Sequence, residues 1–371
     1  MPKLFEKTVI NALELKNRFV RSATWEGMAH GDGACSRDLI GLMAELAAGG
    51  VGLIVSSHAY ISPEGQASPR QIGVYSDDLI PGLSRLTRAV HENGGKIVLQ
   101  LAHAGCHADP GLTGRQPMGP SSFQIEPDLS CREMSRDEIE QTVAAFGRGA
   151  ARAKKAGFDG VQIHAAHGYL LSQFLSPFYN KRTDSYGGNI TNRSRIVLDI
   201  LKTVRDRTDD RFAIMIKMNS DDFLENGLTV PEMLQAAKRL QQAGIDAVEL
   251  SGGTRFSGKL NPIRSGTIRP ANEAFYKDAA RAYKKSISVP LLLVGGIRSY
   301  EVAEALIRDG VADYISLCRP LIREPGLIKR WQNGDTGKSM CRSDNLCFRP
   351  AREGNGIYCV RKAKEPPHES L

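Results

Sequence analysis

A (β/α)8 TIM barrel is the fold class that this 371-residue chain predicts, and three observations predict it. A helix–glycine–strand unit recurs, eight short apolar runs are spaced to be its strands, and no GxGxxG follows the first of them. Strands alternating with helices argue for a parallel sheet. Eight of them in one chain argue for closure into a barrel over an open doubly wound sheet.

The unit is clearest where Ser135 and Glu138 form a capping box ahead of AAFGRGAARAKKA, Gly157 can stop the helix, and FDGVQI reads as a buried strand. Thr229 and Glu232 repeat it with MLQAAKRLQQA, Gly244 and IDAVEL. Weaker copies are LMAELAAGG before VGLIVSS, VHENGG before KIVLQLA, and AEALIRDG before VADYISL. NRFVRSA, AIMIKM and PLLLVGG complete the set, so the strands end near Ala23, Ser56, Leu101, Ile163, Met218, Leu250, Val294 and Leu317. The opening VINALELKNR alternates apolar and polar residues around a turn and reads as a hairpin closing the far end of the barrel.

Such a barrel needs roughly 250 residues, so insertions are expected. Two are plain, from His103 to Met134 and from His164 to Arg195, and both follow the C-terminal ends of strands, the face on which barrels carry their sites. Residues 1–335 are assigned to the barrel. Beyond them the periodicity stops, and the polar, cysteine-bearing extension 336–371, ending in KEPPHESL, is expected to be partly disordered.

The chain is 41% hydrophobic with a formal net charge of +8, its basic residues scattered among acidic ones. That balance favours an anionic small ligand, such as a phosphate-bearing cofactor, over nucleic acid, while a solvated basic surface with no partner accounts for it better than either. No run of about twenty apolar residues occurs, and the N-terminus lacks a secretory apolar stretch, so a cytoplasmic protein without a membrane partner is expected. Cys35, Cys106, Cys131 and Cys318 are isolated in sequence and do not read as a disulfide framework.

The sharpest local feature is HAAHGYL after the fourth strand. His164 and His167, three apart, would lean to one side of a helical turn above the barrel mouth. Two converging N–H donors can hold a carbonyl or nitro oxygen and withdraw electrons from a conjugated double bond. Tyr169 has the high intrinsic pKa of a group that donates a proton once and is re-protonated. The motif alone reads first as histidines bonded to backbone carbonyls with Tyr169 packed in the core; a shared zinc is a further reading, although no acidic or cysteine ligand stands close in sequence to complete one.

The longer stretch HAAHGYLLSQFLSPFYNKRTDSYGGNITNR resembles the old yellow enzyme family of NADH:flavin oxidoreductases. In that family a His-His or His-Asn pair and a Tyr precede an NxRxDxYGGxxxNR loop. Asn180, Arg182, Asp184, Tyr186, Gly187, Gly188, Asn192 and Arg193 match the loop and are read as mainly structural. The resemblance runs from about Leu4 to Pro325 and extends to the barrel domain of 2,4-dienoyl-CoA reductase. It implies FMN at the barrel mouth, NADH or NADPH as reductant, and reduction of an activated carbon–carbon double bond. His164 and His167 would then bind the substrate oxygen, and Tyr169 would protonate the α-carbon.

Within that frame, Gln100 in KIVLQLAHAG is placed to read a flavin pyrimidine edge, which presents both donors and acceptors. Lys217 in AIMIKMNS would stabilise the charge that reduction puts on the ring, or else snorkel from the rim. Gly295 and Gly296, the amide of Cys318 and the guanidinium of Arg319 would form the phosphate cradle in the loops VGGIRS and SLCRP. Ser22, Ala23, Thr24 and His58 should lie along the flavin, His58 alternatively being a satisfied structural histidine.

Two departures from the family stand out. Trp25, by counting, occupies the place where many relatives have a Cys or Thr beside the flavin C4 oxygen, so pocket shape and redox tuning differ. The tail holds Cys341, Cys347 and Cys359 where the larger relatives have four cysteines for an iron–sulfur cluster; a stable four-iron cluster is therefore not expected, while a three-cysteine zinc site stays open. With the chain ending at Leu371, the further domains of those relatives are expected to be absent, and electrons to come from a bound nicotinamide or a separate donor protein. A homo-oligomer acting on a small molecule is expected. The alternatives are an amine or methyl-group dehydrogenase on the same scaffold and a non-catalytic FMN-binding electron-transfer subunit.

Overall fold

The computed structural model describes residues 3–266 and 269–365. The opening alternation folds as the expected hairpin, β1 (Thr8–Ile10) pairing antiparallel with β2 (Leu13–Leu15). The barrel then begins with β3 (Phe19–Arg21), β4 (Leu53–Tyr60) and β5 (Lys96–Ala102). The first insertion leaves the barrel as β6 (Met118–Gly119), β7 (Phe123–Glu126) and β8 (Leu129–Glu133). The chain returns with β9 (Gly160–Ala165), β10 (Ala213–Asn219), β11 (Ala247–Ser251), β12 (Leu291–Leu293) and β13 (Tyr314–Leu317). The eight long-range strands close in the order β10-β11-β12-β13-β3-β4-β5-β9, and each of the eight apolar runs read from the sequence supplies one of them.

The local signals work as read. Ser135 Oγ accepts from Glu138 N at 3.2 Å while the Glu138 carboxylate accepts from Ser135 N at 2.8 Å, which satisfies two of the free amides at the start of helix Arg136–Lys155. Gly157 and Gly244, the expected stops, sit at φ +86° and +81°, a conformation that a side chain makes costly.

The barrel interior is layered. Its floor is apolar: Val20, Leu53, Val55, Val98, Met215 and Leu292 pack against Ile10, Leu13 and Leu15 of the hairpin. The Tyr314 hydroxyl donates to Val9 O at 3.2 Å and pins the hairpin across the opening. Above this floor the inward residues become polar, and the loops that follow the strands rise around them.

The NxRxDxYGG loop is a clamp between the two insertions. Arg182 is 9% exposed; its Nη1 donates to Pro120 O at 3.0 Å and Met134 O at 2.8 Å, and its Nη2 lies 2.7 Å from Asp184. A Cβ on Gly187 would stand 2.0 Å from Arg182 O, so only glycine fits there. Arg193 reaches Leu175 O and Glu232 and holds the second insertion to the following helices.

One expectation needs correction. Cys106 and Cys131 are joined as a disulfide across 25 residues of sequence, because both lie inside the first insertion and the fold of β8 brings them together, which linear spacing cannot reveal. The tail is described through residue 365, where Cys347, Ala351 and Ile357 are buried against Trp25 and Met28, around a short helix Phe348–Arg352. Three apolar side chains seated on the barrel rim suffice to order a polar segment that has no periodicity of its own. Of KEPPHESL, Lys364 and Glu365 are described and 366–371 lie outside the described residues.

Replacing Arg182 with Met should leave two buried carbonyls without a donor and lower the unfolding free energy by roughly 2–4 kcal/mol. Denaturant titration measures this; an unchanged midpoint would show that the clamp carries no stability.

Candidate functional site

The polar layer is set by strand register. Parallel pairing places Gln100 opposite Gln162, and Lys217 between His164 and Glu249. The side chains link accordingly: Gln100 Nε2 donates to Gln162 Oε1 at 2.7 Å, and Gln162 Nε2 donates to Glu249 Oε2 at 2.9 Å. Lys217 Nζ lies 3.6 Å from the same carboxylate oxygen and donates to Ser22 Oγ at 2.7 Å. Glu249 is fully buried and Lys217 only 3% exposed, so the lysine is held inside the barrel and does not snorkel from its rim. A carboxylate only accepts, so Glu249 fixes which way Gln162 faces, and Gln162 fixes Gln100: the Gln100 amide oxygen is the end left free.

The HxxHxY segment reaches its geometry by a route that differs from the expected helical turn. His164 lies on β9, whereas His167 sits in a left-handed turn at φ +64°, followed by Gly168 at +79°. The strain of such a non-glycine residue, about 1–3 kcal/mol, is offset by local bonds. Asn219 Oδ1 accepts from His167 N at 3.1 Å, Ser251 Oγ lies 2.8 Å from His167 Nε2, and a bridge joins His167 to Thr254. Tyr169 then caps helix Leu170–Leu175.

The reversal brings the rings together all the same. The His164 and His167 centroids are 5.3 Å apart, those of His164 and Tyr169 5.1 Å, and His58 stacks on Tyr169 at 5.5 Å. Burial drives the pKa of both His164 and His167 well below the ordinary imidazole value, helped at His164 by His167, His58 and Lys217 and at His167 by Lys217 and His58. Burial lowers His58 to about 4 and pushes the Tyr169 phenol up to about 12. The imidazoles are therefore neutral, with one N–H each, and the phenol keeps its proton. Nδ1 of His164 and Nε2 of His58 are buried without a protein partner, so His58 is not a satisfied structural histidine.

At the opposite wall the loops after β12 and β13 supply glycines and cations. Gly295 stands at φ +133° with its α-carbon so close to Tyr276 that a Cβ would meet the ring at 3.0 Å, and Gly296 follows at +74°. Cys318 precedes the short helix Arg319–Arg323, and its Sγ lies 3.0 Å from Thr24 Oγ1. The tail fastens the arginines: Asn345 Oδ1 accepts from Arg319 at 2.6 Å, and Cys341 O and Ser343 Oγ accept from Arg298.

One cavity of about 620 Å³ is lined by every site residue nominated from the sequence: Ser22 to Trp25, His58, Gln100, the HxxHxY set, Lys217, the two glycines, Cys318 and Arg319. The indole N–H of Trp25 donates to Pro69 O at 3.2 Å, which leaves its flat face for the cavity. Sequence reasoning missed Gln162 and Glu249, although a polar residue inside FDGVQI and inside IDAVEL was a signal in plain view. It also missed Arg255, Arg298, Phe348 and Arg352, which lie on loops and tail without any periodic cue.

Three tail thiols, Cys341, Cys347 and Cys359, line a neighbouring cavity. Burial raises the pKa of Cys341 and pushes Cys347 up to about 12. Among the described residues no group of three or more His, Cys, Asp or Glu side chains is arranged to hold a metal, so the three-cysteine zinc reading finds no support. No helix is long and apolar enough to cross a membrane, among the described residues.

Comparison with known proteins agrees with this geometry. Residues 3–336 match the model of the NADH:flavin oxidoreductase / NADH oxidase family. The chain is 35% identical to an NADH oxidase of Thermoanaerobacter brockii over 90% of its own length but 51% of that protein's, so it spans about half of this relative. It is 34% identical to an NADPH dehydrogenase of Bacillus subtilis, over 87% of this chain and 92% of the relative. The structure of an old yellow enzyme homologue from Zymomonas mobilis superposes with a TM-score of 0.78 at 27% identity, over 97% of this chain and 98% of that one. A closed eight-stranded parallel barrel, a match over nine-tenths of the chain and full-length relatives above 30% identity place this chain in the NADH:flavin oxidoreductase / NADH oxidase family, the old yellow enzymes, which use FMN with NAD(P)H.

Proposed function

We propose that this chain is an ene-reductase: it holds FMN in the cavity and reduces the C=C bond of an α,β-unsaturated carbonyl or related acceptor at the expense of NAD(P)H. The observation that carries this reading is the convergence of two neutral imidazoles and one protonated phenol in a cavity that also holds a buried lysine and a glycine–arginine cradle.

The residues present suit the cofactor. The free oxygen of Gln100 matches an imide N–H, the Lys217 ammonium suits an electron-rich pyrimidine edge, and the backbone around Gly295 and Gly296 with Arg319 and Arg298 suits a phosphate dianion. Ser22, Ala23, Thr24 and the Cys318 amide complete the walls. When bound, FMN supplies the hydride it has taken from NAD(P)H.

The protein's own part is polarisation and proton supply. His164 and His167, each with one N–H, donate to the acceptor's carbonyl oxygen, drawing electron density from the conjugated bond as charge develops there. Ser251 and Asn219 hold His167 in position. Tyr169 gives its proton to the α-carbon, and its raised pKa makes the proton's recovery from solvent favourable. The cavity wall of Trp25, Tyr276 and Phe348 suits a flat, apolar acceptor body.

The charge of the lining bears on the amine-dehydrogenase alternative. Lys217, Arg255, Arg298, Arg319 and Arg352 line the cavity, and among the described lining residues no Asp or Glu does. A protonated amine is repelled there, so reductase chemistry is favoured.

The primary test is the spectrum of the purified protein, incubated with FMN if colourless: a bound flavin spectrum is expected, and failure to bind FMN removes the reading. Tyr169→Phe should slow flavin re-oxidation by an enone about 100-fold or more, read by stopped flow, relative to its reduction by NAD(P)H. An unchanged enone rate would take Tyr169 out of the mechanism.

His164→Ala should weaken phenolate binding at least about tenfold in a charge-transfer titration. Because Tyr169 titrates near 12 and both histidines below the usual range, the enone step should stay flat from about pH 6 to about pH 9. A descending limb centred near 10 would contradict the assignment.

Glu249→Gln removes a negative charge from beside Lys217 and should raise the flavin's two-electron midpoint potential by on the order of 30 mV, about 1.4 kcal/mol. Dye-equilibrated reductive titration measures this; a potential unchanged or lowered would show that the buried pair does not act on the ring.

A further inference from the structure

The cavity lining holds more cations than a flavin phosphate and pyrimidine edge require. Arg319 and Arg298 belong to the wall that the tail fastens, and Lys217 to the polar layer beneath. Arg255 stands elsewhere. The bridge between His167 and Thr254 fixes the residue before it against the HxxHxY turn, so Arg255 emerges at the mouth on the side of Tyr169.

Its environment is that of a ligand-binding arginine. One nitrogen, Nη2, lies 2.8 Å from Glu126 of the first insertion, and the guanidinium stacks over Phe256 at 5.6 Å. Among the described residues its other N–H groups have no protein acceptor. The pair is open to solvent, with 47% and 56% of the two side chains exposed, so Glu126 orients the arginine without neutralising it strongly.

We propose that the physiological acceptor is an anion, carrying a carboxylate remote from its reducible bond, and that Arg255 receives that carboxylate while the double bond lies beside Tyr169. This rests on the ene-reductase reading of the same cavity and adds the substrate class to it. A planar guanidinium with unused donors binds a carboxylate in forked geometry, and with no acidic side chain in the described lining the competing carboxylate is Glu126, solvent-exposed and held through one nitrogen. The phosphates of a nicotinamide dinucleotide offer the same anionic chemistry, so the test must separate the two sources.

The probes are benzylideneacetone, its para-carboxylate and the methyl ester of that acid, turned over by the FMN-loaded enzyme with saturating NAD(P)H. The acid should exceed the ester in kcat/KM by about tenfold at low ionic strength, and the ratio should fall as salt is added. Arg255→Met should bring the ratio close to one. Glu126→Gln, which removes the competing carboxylate, should raise it.

An acid-to-ester ratio near one in the wild-type enzyme, or a ratio that survives Arg255→Met, overturns the inference. Weakened nicotinamide binding in Arg255→Met with the ratio retained also overturns it, assigning the arginine to the dinucleotide. If none of the three enones re-oxidises the reduced flavin, the ene-reductase reading itself fails, whereas turnover of all three without preference removes the anionic acceptor alone.

Discussion

A lysine ammonium buried at the centre of a barrel must be paired, and that requirement organises the site. Lys217 meets it with Glu249, 3.6 Å away on the adjacent strand, and with Ser22 from the loop across the mouth. A lone charge in that position would cost several kcal/mol, and a lone carboxylate as much. The pair in turn gives direction to Gln162 and Gln100, because a carboxylate accepts and cannot donate. One electrostatic constraint thus reaches from β11 across β9 to β5 and decides which polar atom each strand turns toward the cavity. The closed parallel register is what makes it geometrically achievable, since residues two strands apart are held level.

The second constraint comes from the tail. Arginines on a barrel rim would ordinarily splay into solvent, and each costs rotamer entropy to fix. Here Asn345, Ser343 and the Cys341 carbonyl hold Arg319 and Arg298, while Phe348 and Ala351 seat the tail on the barrel beside Trp25. The tail is thereby part of the cavity wall, and its ordering and that of the cations are one event.

The fold was legible because closure of a parallel barrel demands eight buried strands at helix-separated intervals, and VGLIVSS, KIVLQLA, AIMIKM and IDAVEL announce themselves by apolarity alone. The HxxHxY set was legible by residue type and spacing, but its backbone was not: a left-handed histidine is a tertiary outcome, set by Asn219, Ser251 and Thr254 from distant strands. The Cys106–Cys131 pairing was illegible for the same reason, as a sequence separation of 25 carries no distance information. Gln162 and Glu249 could have been read, since a polar side chain in the middle of an apolar strand of a barrel must face inward and must find a partner. The ordered tail could not, because three apolar residues in an aperiodic stretch carry no pattern; what orders them is a matching surface that exists only after the barrel has closed.

The cationic lining acts in the same direction as burial on the histidines. Burial is the main cause of the lowered His164, His167 and His107, and fixed positive charge adds to it, Lys217 at the first two and Arg255 at the third. An imidazolium pair would hold an acceptor's oxygen too strongly in the ground state and would exchange protons with it. In the proposed reduction a neutral pair would polarise without protonating, which would leave Tyr169 as the proton source. Burial keeps that phenol protonated although the Arg255 charge acts in the opposite sense. Desolvation therefore keeps the two imidazoles neutral and the phenol protonated, and the buried cations reinforce the first effect while opposing the second.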